Sequence, residues 1–307
     1  MIQFTTSLRY FKAALLLTAL CIVALVCFSF NSNPAYTNPG IITTGSTNLN
    51  NAIIALDQSA IDFKFGKITL DSLQKQLAAT RIAYKKIEFY LAFHYPEYVK
   101  GNINGAPLMQ IEKEGTRPKV VDPVGLQVLD ELVFSDTAKD EKSQISVLTK
   151  KLRSAYSILF AEIDKNRQAG RFGITAMRLQ LVRILSLGIT GFDTPGSLNA
   201  FPEAEASFQG MQQYLQENYK EANTKIVLPL LSKAIQVLQN PGSFNAFDRL
   251  SFIKLYLDPL YKELGKFDDL ADAEYIKETI AWNPGSTSIF AEDFLDPYFF
   301  AELKNLN

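Results

Sequence analysis

Apolar residues recur three, four and seven positions apart through most of this chain, and strand-like alternation almost never appears. Leu70, Leu73, Leu77, Tyr84, Ile87 and Leu91 form one such stripe, and Ile145, Leu148, Leu152, Tyr156, Leu159 and Ile163 form another. Ile174, Met177, Leu181 and Leu185 follow, then Ile226, Leu230, Ala234 and Val237, then Leu250, Ile253, Leu257, Leu260 and Leu264. Each set lines one face of a helix. Several stripes without strands between them predict an all-α helical bundle.

Turn and capping residues agree with this pattern. Thr69 stands before the second predicted helix, and Pro-Gly-Ser occurs at 195–197, 241–243 and 284–286, where Pro-Gly favours a tight turn and Ser can cap the next element. Asp122 and Pro123 suit the cap and first turn of a further helix. Pro259 falls inside the last stripe and predicts a kink or a shortened helix. Residues 99–121 and 188–202 lack periodicity; their apolar and glycine content predicts loops packed over the bundle.

The N-terminus reads differently. Arg9 and Lys12 precede an apolar run from Ala13 to Phe30, so residues 1–30 read as a targeting segment that sends the rest across a membrane. The run is longer than most signal cores and lies near the lower limit for a span, about 17 residues. Cleavage after Ser29 and retention as a membrane anchor are both open. Residues 31–47, rich in Asn, Pro, Gly, Ser and Thr, read as a flexible tether. Residues 48–307 read as the all-α domain, placed on the periplasmic side of the cell envelope.

Composition narrows the chemistry. With 31 basic and 32 acidic side chains there is no nucleic-acid footprint. Both cysteines, Cys21 and Cys27, lie in the targeting segment, so the remainder has no disulfide, thiolate zinc site or thiol nucleophile. It also has no haem-attachment motif, and no phosphate loop, dinucleotide fingerprint or Gly-x-Ser-x-Gly.

The candidate site rests on a few polar positions. Gln127, Asp130 and Glu131 are spaced to share a helical face and could hold a hard divalent cation such as calcium or magnesium, but without imidazole they make a poor zinc or iron site. The bland alternative is a pair of acids complementing a helix dipole. Arg81, Tyr84, Lys85 and Glu88 form a second polar stripe, either a buried Arg–Glu network facing Asp130 or a solvated face. His94, the one histidine, reads as a helix C-terminal residue, and Trp282, the one tryptophan, as a core clamp or a partner anchor.

Gly125-x-Gln127-x-x-Asp130 resembles the Gly-x-His-x-x-Glu motif of imelysin-like proteins, exported bacterial helical-bundle proteins associated with iron uptake and once classed as metallopeptidases. Gln127 stands where that family has histidine and Asp130 where it has glutamate, two departures that count against metal binding and against a peptidase role. A closer resemblance is to the imelysin-like region that precedes a dihaem cytochrome-c-peroxidase module in some bacterial proteins. It is carried by Arg81–Glu88, Ile103–Leu108, Asp122–Phe134, Ile189–Asp193 and the tail Ile289–Phe299. The resemblance implies two packed bundle halves and a docking module without catalysis of its own, with a c-type cytochrome peroxidase as partner. It also implies that the sequence ends where the haem module would begin. Arg81, Glu88, Asn104, Gln127, Asp130 and Asp193 are the residues it puts at the ligand or partner site.

Overall fold

The computed structural model describes residues 40–112, 119–165, 172–267, 282–283 and 285–295. The targeting segment and most of the residues read as a tether lie outside these. Seven principal helices carry the described chain: α1 (Gly40–Lys64), α2 (Leu70–His94), α3 (Leu126–Val133), α4 (Lys142–Lys165), α5 (Gly173–Arg183), α6 (Ala200–Asn218) and α7 (Val227–Gln239). A shorter α8 (Asp258–Leu264) follows them. Among the described residues the strands are β1 (Gln110–Glu112) and β2 (Lys119–Val121), a two-stranded antiparallel ribbon pairing Ile111 with Val120. The architecture is an all-α bundle, and among the described residues no helix is long and apolar enough to cross a membrane.

Helix α2 is the axis of the bundle. It packs against α1, α3, α5 and α6, while α4 lies on α1 and α7 lies on α6. From Arg81 to Ala92 most of its side chains are buried whatever face they lie on. Helix α6 comes close enough that a Cβ at Gly210 would overlap the Lys86 carbonyl, so only glycine fits that crossing. A helix enclosed on every side must bury whatever polar residues it carries, and each needs a partner there.

The start of α2 follows its sequence signal: the Thr69 hydroxyl accepts from the Ser72 amide at 3.2 Å. The stripes of α2 and α4 point inward as expected, with every named residue of α4 buried.

Other expectations are corrected. Residues 40–47, assigned to the tether, form the first turns of α1, because Ile41, Ile42 and Leu49 make a buried helical stripe among the Thr, Ser and Asn. Asp122 does not cap α3. The chain stays extended to Val124 and turns at Gly125, whose φ of 112° is a glycine conformation, before the helix begins at Leu126. Helix α7 faces the core through Val227, Leu231, Ala234, Ile235 and Leu238, leaving Ile226 exposed. Leu250 is exposed because a π turn at Ile253–Leu257 adds a residue and rotates the stripe. Pro259 sits in the first turn of α8, directly after that π turn, so the stripe of residues 250–264 is divided as the proline predicts.

Helix α6 is absent from the sequence stripes, and part of it falls in the segment read as loop. Its inward face mixes Phe201, Phe208 and Met211 with Ala204, Ala206 and Gly210, small residues that blur the apolar pattern while permitting the close crossing. Of the two segments read as loops, the first opens with a π turn at Val99–Ile103 whose Val99 and Ile103 are buried, and then carries β1 and β2; the second is entered through a π turn at Ile184–Gly188 and buries Ile189, Asp193 and Thr194.

Candidate functional site

The two π turns deliver their loops to one place. Asn104, just after the first, and Asp193, five residues past the end of the second, meet: the Asn104 amide donates to Asp193 Oδ1 at 3.0 Å. Asp193 is buried, and its oxygens also accept from the Gln127 amide of α3 and from Lys85 Nζ of α2. The Lys85 ammonium donates in addition to both oxygens of Glu88, at 2.9 and 2.8 Å. Gln180 of α5 completes that end, donating to Glu88 Oε2 at 2.6 Å.

A turn earlier on α2, Arg81 is 1% exposed and grips Glu203 of α6. Its Nε donates to Oε1 at 2.5 Å and its Nη2 to Oε2 at 2.8 Å, with a further bond from Nη2 to the Asp193 carbonyl at 2.5 Å. Asp130 of α3 accepts from the amides of Gly196 and Ser197 at 2.8 and 2.9 Å, and its other oxygen lies 3.9 Å from Arg81 Nε. Arg81, Asn104, Gln127, Asp130 and Asp193 therefore converge, with Glu88 joined to them through Lys85. The polar stripe of α2 is a buried network and not a solvated face.

Glu131 takes no part. It is exposed while its neighbour Asp130 is fully buried, so the three-residue cation face of Gln127, Asp130 and Glu131 does not form. The reason is helical geometry: adjacent residues diverge by about 100° around the axis. Gln127 and Asp130 are themselves committed to Asp193 and to backbone amides. Among the described residues no group of three or more His, Cys, Asp or Glu is placed to hold one ion.

Electrostatics binds the cluster. Burial disfavours the charge on Lys85, but Asp193 and Glu88 more than offset it and its pKa rises. Burial likewise opposes the Arg81 charge, and Glu203, Asp193 and Asp130 outweigh it. Burial alone would raise the Asp193 pKa; Lys85 and Arg81, with hydrogen bonds from Lys85 and Asn104, hold it down at about 2. Glu203 moves the other way. Burial raises its pKa more than Arg81 lowers it, with Asp193 adding to the rise.

Against two buried cations, Arg81 and Lys85, stand four buried acids, Glu88, Asp130, Asp193 and Glu203. Several buried polar atoms beside them have no hydrogen-bond partner among the described residues: Asp130 Oδ1, Gln180 Oε1, Thr194 Oγ1 and Arg81 Nη1. A small cavity of about 10 Å³ lies between Lys85, Gln180, Thr194, Glu203 and Ser207. That is room for about one water.

Sequence periodicity left out Glu203 and Gln180, and it placed Lys85 only in a stripe. Glu203 sits on the helix whose pattern was blurred by small residues, and Gln180 lies on α5, where Thr175 and Arg178 are buried polar residues as well. His94 ends α2 as expected. Trp282 is a core clamp: it is 4% exposed and its indole donates to the Tyr261 hydroxyl at 2.5 Å.

Fold and site together define an all-α bundle organised around a buried ion-pair network. Compared with known proteins, the sequence matches no family model and no curated protein.

Proposed function

We propose that this chain is an exported, imelysin-like helical docking module without catalysis of its own, working with a dihaem cytochrome-c peroxidase on the periplasmic side of the envelope. In this reading residues 1–30 deliver it or hold it at the membrane, and the bundle comprises the two packed halves of that family. The observation that carries the proposal is the use of the motif positions. The amide of Gln127 donates to Asp193, and Asp130 accepts from Gly196 and Ser197. Both side chains hold the 189–197 loop, and Asn104 ties the 103–108 loop to the same Asp193, which is what a presenting surface requires. The adjoining cavity, at about 10 Å³, has no room for a substrate.

Affinity capture from the native envelope tests this, with haem staining of what is retained. A c-type haem protein held in stoichiometric amount supports the docking role; a clean monomer with no haem protein counts against it.

A second reading is a metal-binding imelysin-type protein. It is favoured by the unpartnered acceptor oxygens of Asp130 and Gln180 beside an excess of buried acid. Its oxygen donors suit a hard cation such as calcium or magnesium, and elemental analysis of the purified chain separates the two readings.

A further inference from the structure

A much larger cavity lies away from the ion-pair network. It is an open groove of about 830 Å³ between the outer face of α4 and the extended run from β2 to Gly125. Val120, Asp122 and Val124 form one wall. Val147, Lys150, Lys151 and Ser154 form the other, spaced by three, four and seven on one side of α4.

Two features of this groove have no explanation in the fold. Val120 and Val147 are 59% and 52% exposed, on opposite walls, where packing would normally hide β-branched residues. Lys150 and Lys151 are exposed, and neither pairs with an acid among the described residues. Asp122 is the single acid in the lining. The groove is thus apolar between its walls and net positive at its rim.

We propose that this groove is a docking site for a short acidic peptide segment of a partner protein. Apolar side chains of the peptide pack between Val120, Val124 and Val147, and its carboxylates meet Lys150 and Lys151. Charge complementarity selects the occupant, and the concave shape selects a peptide over a flat anionic bilayer, which could reach the rim lysines but not the valines. The volume falls in the range of sites that enclose a ligand, about 300–1,000 Å³. Neither Asp193 nor any residue of 103–108 or 189–197 lines the groove, and the proposal holds whether or not the partner carries haem.

The test uses the full chain and a fluorescein-labelled peptide of alternating Glu and Val, titrated by anisotropy, with the Lys/Val counterpart as control. The proposal expects saturable binding of the acidic peptide alone, weakened by salt, and about tenfold weaker in K150E/K151E or in V147D. All three positions are exposed, so the variants keep the wild-type circular dichroism and melting temperature. Equal binding of the two peptides, no saturation, or unchanged affinity in both variants would overturn it. So would tighter binding to phosphatidylserine vesicles than to the peptide, or a dimer whose interface the peptide cannot displace.

Discussion

Arg81 and Glu203 lie 122 residues apart in sequence and form a two-pronged ion pair with both side chains almost wholly buried. The pair joins α2 to α6, and through a third bond, from Arg81 to the Asp193 carbonyl, it also anchors the loop that follows α5.

Removing one member leaves the other charged and enclosed. Glu203→Gln is expected to destabilise the protein by about 2–4 kcal/mol, because Arg81 loses its two-pronged partner and keeps only the more distant charges of Asp193 and Asp130. The double variant Arg81→Met/Glu203→Leu removes both charges and should recover much of that loss. Urea denaturation, read as a shift in midpoint at constant slope, measures both. A single variant costing less than about 1 kcal/mol would show that the pair behaves as an exposed one.

Asp193 gives the network an acid limit. Its folded pKa of about 2 lies below the unfolded value of about 3.9, so its contribution to stability is full above the unfolded value. That contribution is lost as pH falls towards the folded value. Glu203 has the opposite sign: its pKa is raised by burial, so its contribution is present at low pH and lost as pH rises through the folded value. Urea midpoints of the wild type and Asp193→Asn should therefore converge between about pH 4 and pH 2. A difference that stays constant over that window would rule out Asp193 as the titrating group.

Much of the bundle was legible because α2, α4 and α5 carry long apolar stripes with clean spacing. The ion-pair residues on α2 were visible as a polar stripe, yet their burial was not. Periodicity reports the composition of a face, whereas enclosure of α2 depends on α6, whose Ala and Gly positions hide it from the pattern. Asp193 and Asn104 lie on loops, where spacing carries no signal, and π turns aim them. The tether was overextended for a related reason: Thr, Ser and Asn in the first turns of α1 outnumber the isoleucines that bury it.

The crossing of α2 and α6 should be intolerant of a methyl group. Gly210→Ala forces a Cβ against the Lys86 carbonyl, and because backbone cannot yield as a side chain does, a loss of about 1–3 kcal/mol is expected. Differential scanning calorimetry reads it as a lowered melting temperature. An unchanged or raised value would mean that the helices are further apart than described.

Thr69→Ala removes the hydroxyl that accepts from Ser72 and should cost about 1 kcal/mol. Thr69→Ser, which keeps the acceptor, should restore most of it, so comparing the two midpoints separates capping from packing.

Positions 127 and 130 serve internal protein contacts, with Asp130 Oδ1 left without a hydrogen-bond partner among the described residues, and on the proposed function they hold no catalytic metal. Elemental analysis of the full chain, purified without chelator and then re-equilibrated with iron and zinc, bears on this most directly. Substoichiometric metal is expected in the wild type, with no change in Asp130→Ala. One equivalent of iron or zinc per chain, lost in that variant while the fold persists, would be incompatible with a docking module that has no metal chemistry.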